Sequence, residues 1–360
     1  MRRIDMALLH PGRPVRTWLG WAAFFYGLIV RFRYWCYGRG WFVSLRLPCR
    51  VVSVGNLTVG GTGKTPVVIM LANWLRAEGR RVAVLSRGYK RAAGEEYLLV
   101  SDGARISAGP ADAGDEPFLI AQRCPGAIVA VGADRAALGR WVLSQHAVEC
   151  MILDDGFQHL GLHRDVDIVL LDATDAAGLD AMVPAGRLRE PLEGLSRATA
   201  VAVTRAEFRD EVETLYGRLQ ASGVPIDEIC EVSFKPESLV SVQTDQVQSL
   251  EWAKGKPVWL VSGIGNSESF RRSAQSVGVM VVGETAFQDH YRYQADDVGR
   301  IQTDAKIAGA EYIVTTEKDA GKLAMFLQPQ DPWWALRIRA DILRGEEGLR
   351  KVVVGEQGWA

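Results

Sequence analysis

The sequence predicts an α/β protein with a doubly wound, mainly parallel sheet and a second, smaller α/β domain. Two observations carry this prediction. Short apolar segments, each typical of a buried strand, alternate with segments of helical periodicity over most of the chain. The chain has 360 residues, and at roughly 150 residues per domain this length indicates about two domains.

The composition is that of a packed globular protein. Hydrophobic residues make up 48% and charged residues 24% of the chain, which excludes a disordered chain, a collagen-like chain and a disulfide scaffold. The five cysteines are scattered and form no CxxC pair. We therefore expect no disulfide framework or zinc knuckle, and a reducing compartment.

The amino-terminal segment is basic and aromatic. Residues 1–50 contain nine arginines, no lysine and one acidic residue, a net charge of +8, whereas the whole chain carries −1. Such a basic arm suits an acidic partner, either phospholipid or nucleic acid. The uncharged stretch 18–30 is shorter than the roughly 20 residues that cross a bilayer.

Helical spacing places the apolar residues of this segment on one face, namely Trp21, Phe24, Phe25, Leu28, Phe32 and Trp35. Aromatic residues beside arginine favour the lipid headgroup region. The arm 1–42 is therefore predicted to contain a helix at the membrane interface. A core helix packed on the body is the alternative.

The remaining elements divide the chain into domains. We predict a first domain over 43–228, a linker hairpin over 229–244 around Lys235-Pro236, and the smaller α/β domain over 245–360. A return of the carboxyl-terminal end to the first domain is the alternative for the end of the chain. The first domain contains predicted strands at 43–47, 50–54, 82–85, 127–132, 150–153, 167–171 and 200–204, with helices at 64–77 and 133–144. In the smaller domain, strands are predicted at 258–263, 279–283 and 311–316.

The segment GNLTVGGTGKTP at 55–66 follows a predicted strand and opens a predicted helix. This context is that of a phosphate loop, in which glycines turn successive backbone N–H groups toward one anion. The lysine would reach the β- and γ-phosphates and the following threonine would bind Mg²⁺. Thr58 stands where the common GxxxxGK[ST] pattern has glycine. The predicted nucleotide-binding residues are Thr58, Val59, Gly60, Gly61, Thr62, Gly63, Lys64 and Thr65, and the fold is then of the P-loop NTPase type.

Further charged side chains follow predicted strands. Asp154 and Asp155 end a buried strand, where phosphate-loop enzymes carry a carboxylate directed at Mg²⁺; a capping pair in a turn is the alternative. Arg87 and Arg135 follow two other strands, and each can clamp phosphate or lie solvated. Asp115 precedes an apolar helix, and without further information an N-cap of that helix explains it well.

Eight strings together carry a family resemblance. Besides the phosphate loop they are SRGYKR (86–91), GDEP (114–117), VGADR (131–135), LDDGFQH (153–159), LREP (188–191), FQDHY (287–291) and TTEKD (315–319). In this order they resemble the tetraacyldisaccharide 4′-kinases of lipid A biosynthesis, over about residues 50–320.

The resemblance implies a kinase that transfers the γ-phosphate of ATP to the 4′-hydroxyl of a tetraacyldisaccharide 1-phosphate lipid A precursor. ATP and Mg²⁺ are the implied cofactors. The lipid precursor and an anionic membrane surface are the implied partners, with no nucleic acid and no obligate protein partner. The implied location is peripheral, on the cytoplasmic face of the bacterial inner membrane.

The resemblance also implies roles for individual residues. Asp115 would accept the proton of the sugar hydroxyl and His290 would orient it, with Lys64 and Asp155 completing the catalytic set. Glu190 would face the metal ion together with Thr65, Asp154 and Asp155. Independently of this family, the Lys-Asp pair that follows a predicted strand in TTEKD is similar to the base-reading motifs of some GTPases, which predicts that Lys318 and Asp319 help to hold the purine. The alternative function is a P-loop ATPase switch acting on a protein partner at the membrane.

Overall fold

The computed structural model describes residues 13–88, 96–223, 229–244 and 246–355. The strands are β1 (Arg50–Asn56), β2 (Val82–Ser86), β3 (Tyr97–Asp102), β4 (Ile128–Gly132), β5 (Cys150–Asp154), β6 (Val166–Asp172), β7 (Ala200–Thr204), β8 (Cys230–Ser241), β9 (Val247–Gln248), β10 (Pro257–Ser262), β11 (Met280–Ala286), β12 (Tyr312–Thr316) and β13 (Trp333–Arg344).

The helices are α1 (Arg13–Gly38), α2 (Lys64–Ala77), α3 (Pro110–Ala113), α4 (Asp115–Arg123), α5 (Arg135–Gln145), α6 (Arg209–Ala221), α7 (Leu250–Ala253), α8 (Ser267–Ser276), α9 (Ala295–Ile307), α10 (Glu317–Leu323) and α11 (Glu346–Val354). Short 3₁₀ helices cover Ala173–Leu179, Leu192–Arg197 and Ala324–Phe326.

One sheet runs through the described residues in the order β11-β10-β12-β13-β8-β7-β6-β1-β5-β2-β4-β3, with β9 attached to β8. Its pairs are parallel apart from β3 with β4, β8 with β9 and β8 with β13. Along β1, Val52 and Val54 pack into the core with α2, whereas Val51 packs into the core with α5. Since neighbouring side chains point to opposite faces, helices cover both sides. The predicted doubly wound, mainly parallel α/β fold is confirmed.

The predicted linker hairpin is wrong, because residues 230–241 form the single strand β8. It pairs along its length with β13, and the two strands join the sheet of the first part to that of the second. Pro236 lies inside β8, where the register shifts between Arg337 and Ile338. A proline has no N–H for the ladder, so an irregularity at this point accommodates it. The predicted domain boundaries stay a prediction.

The carboxyl-terminal helix α11 returns to the first part of the chain. Leu349 and Val353 pack into the core that contains Val52 and α2, and Arg50 donates to the carbonyl of Val352 at 2.7 Å. The predicted strand at 43–47 is wrong, since only Leu45 forms an isolated bridge, with Leu162. Pro48 follows closely and cannot donate to a ladder, which limits the pairing.

Helix α1 presents its aromatic side chains to solvent. Trp21, Phe25 and Phe32 are 60%, 59% and 59% exposed, and the other residues of the predicted face are exposed as well. The opposite side of the helix buries Ala23 and Cys36. In the described part of the chain, no helix is long and apolar enough to cross a membrane.

Candidate active site

The phosphate loop connects β1 to α2, and two of its glycines are required by their conformation. Gly63 has φ +81°, and a Cβ there would lie 2.1 Å from Cζ of Phe234. Gly60 has φ +124°, and a Cβ there would lie 2.2 Å from a guanidinium nitrogen of Arg187. Position 63 therefore requires glycine for conformation and for space, whereas position 60 requires it for conformation, because the end of the Arg187 side chain can shift. The loop ends at the amino terminus of α2, a site suited to an anion.

Lys64 is held at the first residue of α2 by two acceptors. Its Nζ lies 3.3 Å from Oδ1 of Asn56 and 3.5 Å from Oδ1 of Asp155. Asn56 is fully buried, and its amide donates to the carbonyl of Thr58 at 2.7 Å. Asn56 was not among the residues predicted from the sequence. A buried amide at the end of a strand, inside the phosphate-loop string, is the signal that marks it.

Two residues at the carboxyl end of β7, which were not predicted from the sequence, support the loop: Thr204 ends the strand and Arg205 follows it. Thr204 Oγ1 donates to the carbonyl of Thr62 at 2.9 Å, and Arg205 donates to the carbonyl of Gly61 at 3.0 Å. Arg205 also pairs with the buried carboxylate of Asp172. These contacts depend on the order of strands in the sheet, which residue spacing does not reveal.

Asp154 and Asp155 occupy different environments although they are adjacent. Burial, together with the neighbouring Glu116 charge, raises the pKa of Asp154 to about 7. Its Oδ2 accepts from Ser86 at 3.2 Å, while its buried Oδ1 has no hydrogen-bond partner among the described residues. Burial opposes the charge of Asp155 too, but Lys64 and Arg189 lower its pKa below the ordinary value.

The unpaired oxygen of Asp154 is what a divalent cation would satisfy. Asp154 and Thr65 line the same cavity, so the residues present fit Mg²⁺. Asp155 is occupied by Arg189, whose Nη1 lies 2.9 Å from Oδ1 and 3.0 Å from Oδ2. Asp155 therefore forms ion pairs with Lys64 and Arg189 beside the loop.

The expectation that Glu190 faces the metal ion is corrected by its contacts. Glu190 is fully buried and does not line the cavity. Its Oε1 accepts from Gln158 at 2.7 Å, and its Oε2 accepts from Arg197 at 2.8 Å and from the hydroxyl of Tyr34. Tyr34 belongs to α1. Because protein donors occupy both oxygens, Glu190 is a link that fastens α1 to the body.

Arg87 and Arg135 line the cavity, as a role in phosphate binding requires. Arg87 is exposed, whereas Arg135 is buried and donates to the carbonyl of Ala133 at 2.8 Å. His159 lines the same wall, and burial, with Arg135 nearby, lowers its pKa to about 4. The end of the SRGYKR string, residues 89–91, lies outside the described residues.

Asp115 and His290 meet although 175 positions separate them. Asp115 begins α4, and its Oδ2 lies 3.2 Å from Nδ1 of His290 and 3.2 Å from Nζ of Lys322. Burial opposes the charge of Asp115, but the His290 hydrogen bond and the Lys322 cation together lower its pKa. His290 lines the cavity beside Glu116, and Asp115 keeps 12% of its side chain exposed.

Lys318 and Asp319 have partners other than those expected for holding a purine. Asp319 is fully buried and accepts from the backbone N–H of Gly263 at 2.8 Å. Lys318 bridges Glu116 at 3.1 Å and Asp289 at 3.3 Å. The TTEKD string thus joins the second part of the chain to α4. We assign neither Lys318 nor Asp319 to binding of the purine.

A cavity of about 1210 Å³ joins the phosphate loop to His290 and Lys318. Asp115 does not itself line this cavity, and it contacts the lining through His290. The cavity is lined by residues 59–66 of the phosphate loop, by Asp154, by His290 and by Tyr26 and Tyr34 of α1. A helix with a solvent-exposed aromatic face therefore forms one wall of the cavity that holds the phosphate loop. The volume is large enough for two substrates, because ligand sites commonly measure about 300–1,000 Å³.

Comparisons with known proteins agree with this geometry. Residues 15–356 match the family model described as tetraacyldisaccharide-1-P 4′-kinase, LpxK. A tetraacyldisaccharide 4′-kinase of Syntrophus aciditrophicus is 43% identical over 309 residues, covering 83% of this chain and 82% of the relative. That of Bdellovibrio bacteriovorus is 36% identical and covers 89% and 93%. A crystal structure of LpxK from Aquifex aeolicus in complex with ATP has 33% identity and a TM-score of 0.75, covering 94% of this chain and 98% of that one.

Proposed function

The chain belongs to the tetraacyldisaccharide-1-P 4′-kinase family, and from that premise we propose how its own residues carry out the reaction. It is an ATP-dependent kinase that transfers the γ-phosphate of ATP to the 4′-hydroxyl of a tetraacyldisaccharide 1-phosphate. The observation that carries the proposal is the cavity that the phosphate loop and α1 both line. Nucleotide and sugar can meet there while the acyl chains follow the helix.

Phosphoryl transfer requires positioning and charge neutralisation more than covalent chemistry. The backbone N–H groups of residues 60–63 and the amino terminus of α2 would hold the phosphates, and Lys64 would neutralise charge on the transferring group. Asn56 and Asp155 fix the ammonium group of Lys64 at 3.3 and 3.5 Å. Arg87 and Arg135 would clamp anionic groups that enter the cavity from the other side.

Asp154 and Thr65 would hold Mg²⁺, which would supply positive charge to neutralise phosphate oxygens. Ser86 orients the carboxylate of Asp154 through its hydrogen bond to Oδ2, and Oδ1 has no hydrogen-bond partner among the described residues, so it would be available to the ion.

Asp115 would accept the proton of the attacking hydroxyl. Its lowered pKa keeps it ionised, and an ionised carboxylate is the form that can take a proton. His290 and Lys322 hold its Oδ2. The value of Asp115 as a base lies in its position beside the incoming oxygen, because a carboxylate is weak toward an alcohol.

The membrane location belongs to the same proposal. The exposed aromatic face of α1 would lie in the headgroup region of an anionic bilayer, on the cytoplasmic face of the inner membrane where ATP is supplied. Arg31 borders this face and is half exposed. Basic residues near anionic lipid contribute about 1 kcal/mol each, so binding should weaken as salt increases.

Vesicle sedimentation tests this location. Replacing Trp21, Phe25 and Phe32 by serine should release the protein from vesicles containing anionic phospholipid and raise the apparent KM for the lipid substrate, with kcat for a detergent-dispersed substrate retained. A matched control replaces Ile307 and Met325, which are 81% and 80% exposed elsewhere, and should leave binding unchanged. Equal loss in both sets would mean that the effect is not specific to α1, and unchanged binding of the first set would contradict the membrane proposal.

The kinase activity itself is tested by measuring consumption of ATP with and without the disaccharide lipid. The proposal expects phosphate transfer to depend on that lipid. Rapid ATP hydrolysis that ignores the lipid and responds to an added protein instead would favour the P-loop ATPase switch.

A further inference from the structure

Lys318 lies at the point where the second part of the chain meets α4, and the proposed mechanism gives it no role. Its side chain lines the cavity and is 16% exposed. Nζ lies 3.1 Å from Oε1 of Glu116, 3.3 Å from Oδ1 of Asp289 and 3.2 Å from Nε2 of His290. The third contact is unlike the other two, because its acceptor is a ring nitrogen whose protonation depends on the tautomer.

An ammonium group has three N–H donors and no acceptor. Burial works against the charge of Lys318, but Glu116 and Asp289 outweigh it and raise its pKa above the ordinary value, so the group is charged. A charged Lys318 can contact Nε2 of His290 only by donating to the lone pair of that nitrogen. Nε2 then carries no hydrogen, and the proton of the neutral imidazole is on Nδ1.

The other ring nitrogen faces the proposed base. Nδ1 of His290 lies 3.2 Å from Oδ2 of Asp115, a carboxylate oxygen that only accepts. The carboxylate oxygens of Glu116 and Asp289 lie 3.9 and 3.8 Å from Nε2, beyond hydrogen-bond distance. With the proton on Nδ1, the contacts to Asp115 and Lys318 are both hydrogen bonds. With the proton on Nε2, an N–H would face the Lys318 ammonium group and a lone pair would face the Asp115 carboxylate, so these two hydrogen bonds would be lost together.

We propose that Lys318 is a positioning residue that fixes the tautomer of His290, so that Nδ1–H donates to Oδ2 of Asp115. The proposal deepens the function described above and rests on it for the role of Asp115. Nζ of Lys322 forms an ion pair with the same oxygen, Oδ2 of Asp115, at 3.2 Å. Oδ1 of Asp115 is then the atom that receives the proton of the sugar hydroxyl, and Lys318 acts on the reaction through His290 without touching the reacting atoms.

A purely structural role is the competing explanation, because Lys318 also bridges α4 to the loop at Asp289. The tautomer of His290 separates the two explanations, since an ion-pair bridge has no reason to set it. Ring-nitrogen chemical shifts of isotopically labelled histidine report the tautomer directly. The chain has five histidines, and the spectrum of His290→Ala assigns the signal.

The wild-type protein, without any substrate, should show His290 protonated on Nδ1. Lys318→Met, which keeps the length of the side chain and removes the donors, should lose this preference and give a mixture of tautomers. Its kcat should fall by about 10- to 100-fold, the range for outer contacts that hold a functional imidazole, with KM for ATP unchanged. Lys318→Arg retains donors and should recover the Nδ1–H tautomer and part of kcat. Lys254→Met removes an exposed lysine that pairs with Glu251 and should change neither quantity.

A proton on Nε2 in the wild-type spectrum would overturn the proposal, and this measurement does not depend on the folding of Lys318→Met. An unchanged tautomer in folded Lys318→Met would overturn it as well. Because the tautomer is measured without lipid or ATP, its result is separate from that of the kinase assay. Absence of phosphate transfer by the wild-type protein would refute the proposed function, whatever the spectrum shows.

Discussion

Replacing Arg197 by methionine should lower the free energy of unfolding by about 3–5 kcal/mol, the cost of leaving a buried carboxylate without its ion-pair partner. The carboxylate is that of Glu190, which is fully buried and lies 2.8 Å from Arg197. The guanidinium group also lies over the rings of Tyr34 and Phe157 at 4.1 and 4.5 Å. Methionine keeps much of that contact, so the loss reports the charge.

The double variant Arg197→Met with Glu190→Met should recover most of this stability, because apolar replacement of a whole buried ion pair is often neutral. Urea unfolding followed by tryptophan fluorescence measures both variants. Urea unfolding of Glu190→Gln should show a loss of stability. A separate activity titration should show that this variant needs the same concentration of Mg²⁺ for half-maximal activity as the wild type. Asp154→Asn should raise that concentration by about 10- to 100-fold or abolish activity. A rise of similar size in Glu190→Gln would refute the assignment of Glu190 as a structural link and restore it as a metal ligand.

Four further predictions concern the phosphate loop and the proposed base Asp115. Lys64→Ala should lower kcat by about 10²–10³-fold or more and leave the circular dichroism spectrum unchanged, since its ammonium group faces the cavity; wild-type turnover would contradict the nucleotide site. Asp115→Asn and His290→Ala should each lower kcat by about 10²–10⁴-fold, and the double variant should fall far short of the product, as for residues that act as a unit. Because the pKa of Asp115 is lowered, the acid limb of its kcat/KM profile should lie below the ordinary value near 3.9; a limb well above it would show that another group is the base. Gly63→Ala should weaken ATP binding in a titration, because its Cβ would meet the ring of Phe234, and Phe234→Ala should restore part of the affinity; no loss in the single variant would contradict the required glycine geometry.

Local sequence patterns predicted the elements whose causes are local. Glycine placement predicted the phosphate loop between β1 and α2, and apolar periodicity predicted a helix in the amino-terminal arm. The strand β8 escaped prediction, because a Lys-Pro pair reads locally as a turn. Pairing of β8 with β13 over residues 334–344 overrides that local signal.

Site residues could be predicted where they lie next to the phosphate loop or within a family string. They could not be predicted where the tertiary packing determines their partners. The roles of Asp115 and His290 were implied by the family resemblance. Their contact at 3.2 Å forms only because the second part of the chain reaches α4. Arg205 supports the loop through the neighbourhood of β7 in the sheet, which spacing does not encode. Glu190 was assigned to the metal because a carboxylate in a family string suggests a ligand, whereas burial among Gln158 and Arg197 satisfies both of its oxygens.

The most direct test of the central claim is the position of the phosphate on the lipid product. The protein is incubated with ATP, Mg²⁺ and a tetraacyldisaccharide 1-phosphate, and the lipid is analysed by mass spectrometry and phosphorus NMR. We expect one new phosphate monoester on the 4′ oxygen, formed by the wild-type protein and absent with Lys64→Ala. Release of inorganic phosphate with the lipid unchanged, or phosphorylation of another hydroxyl, would contradict the central claim.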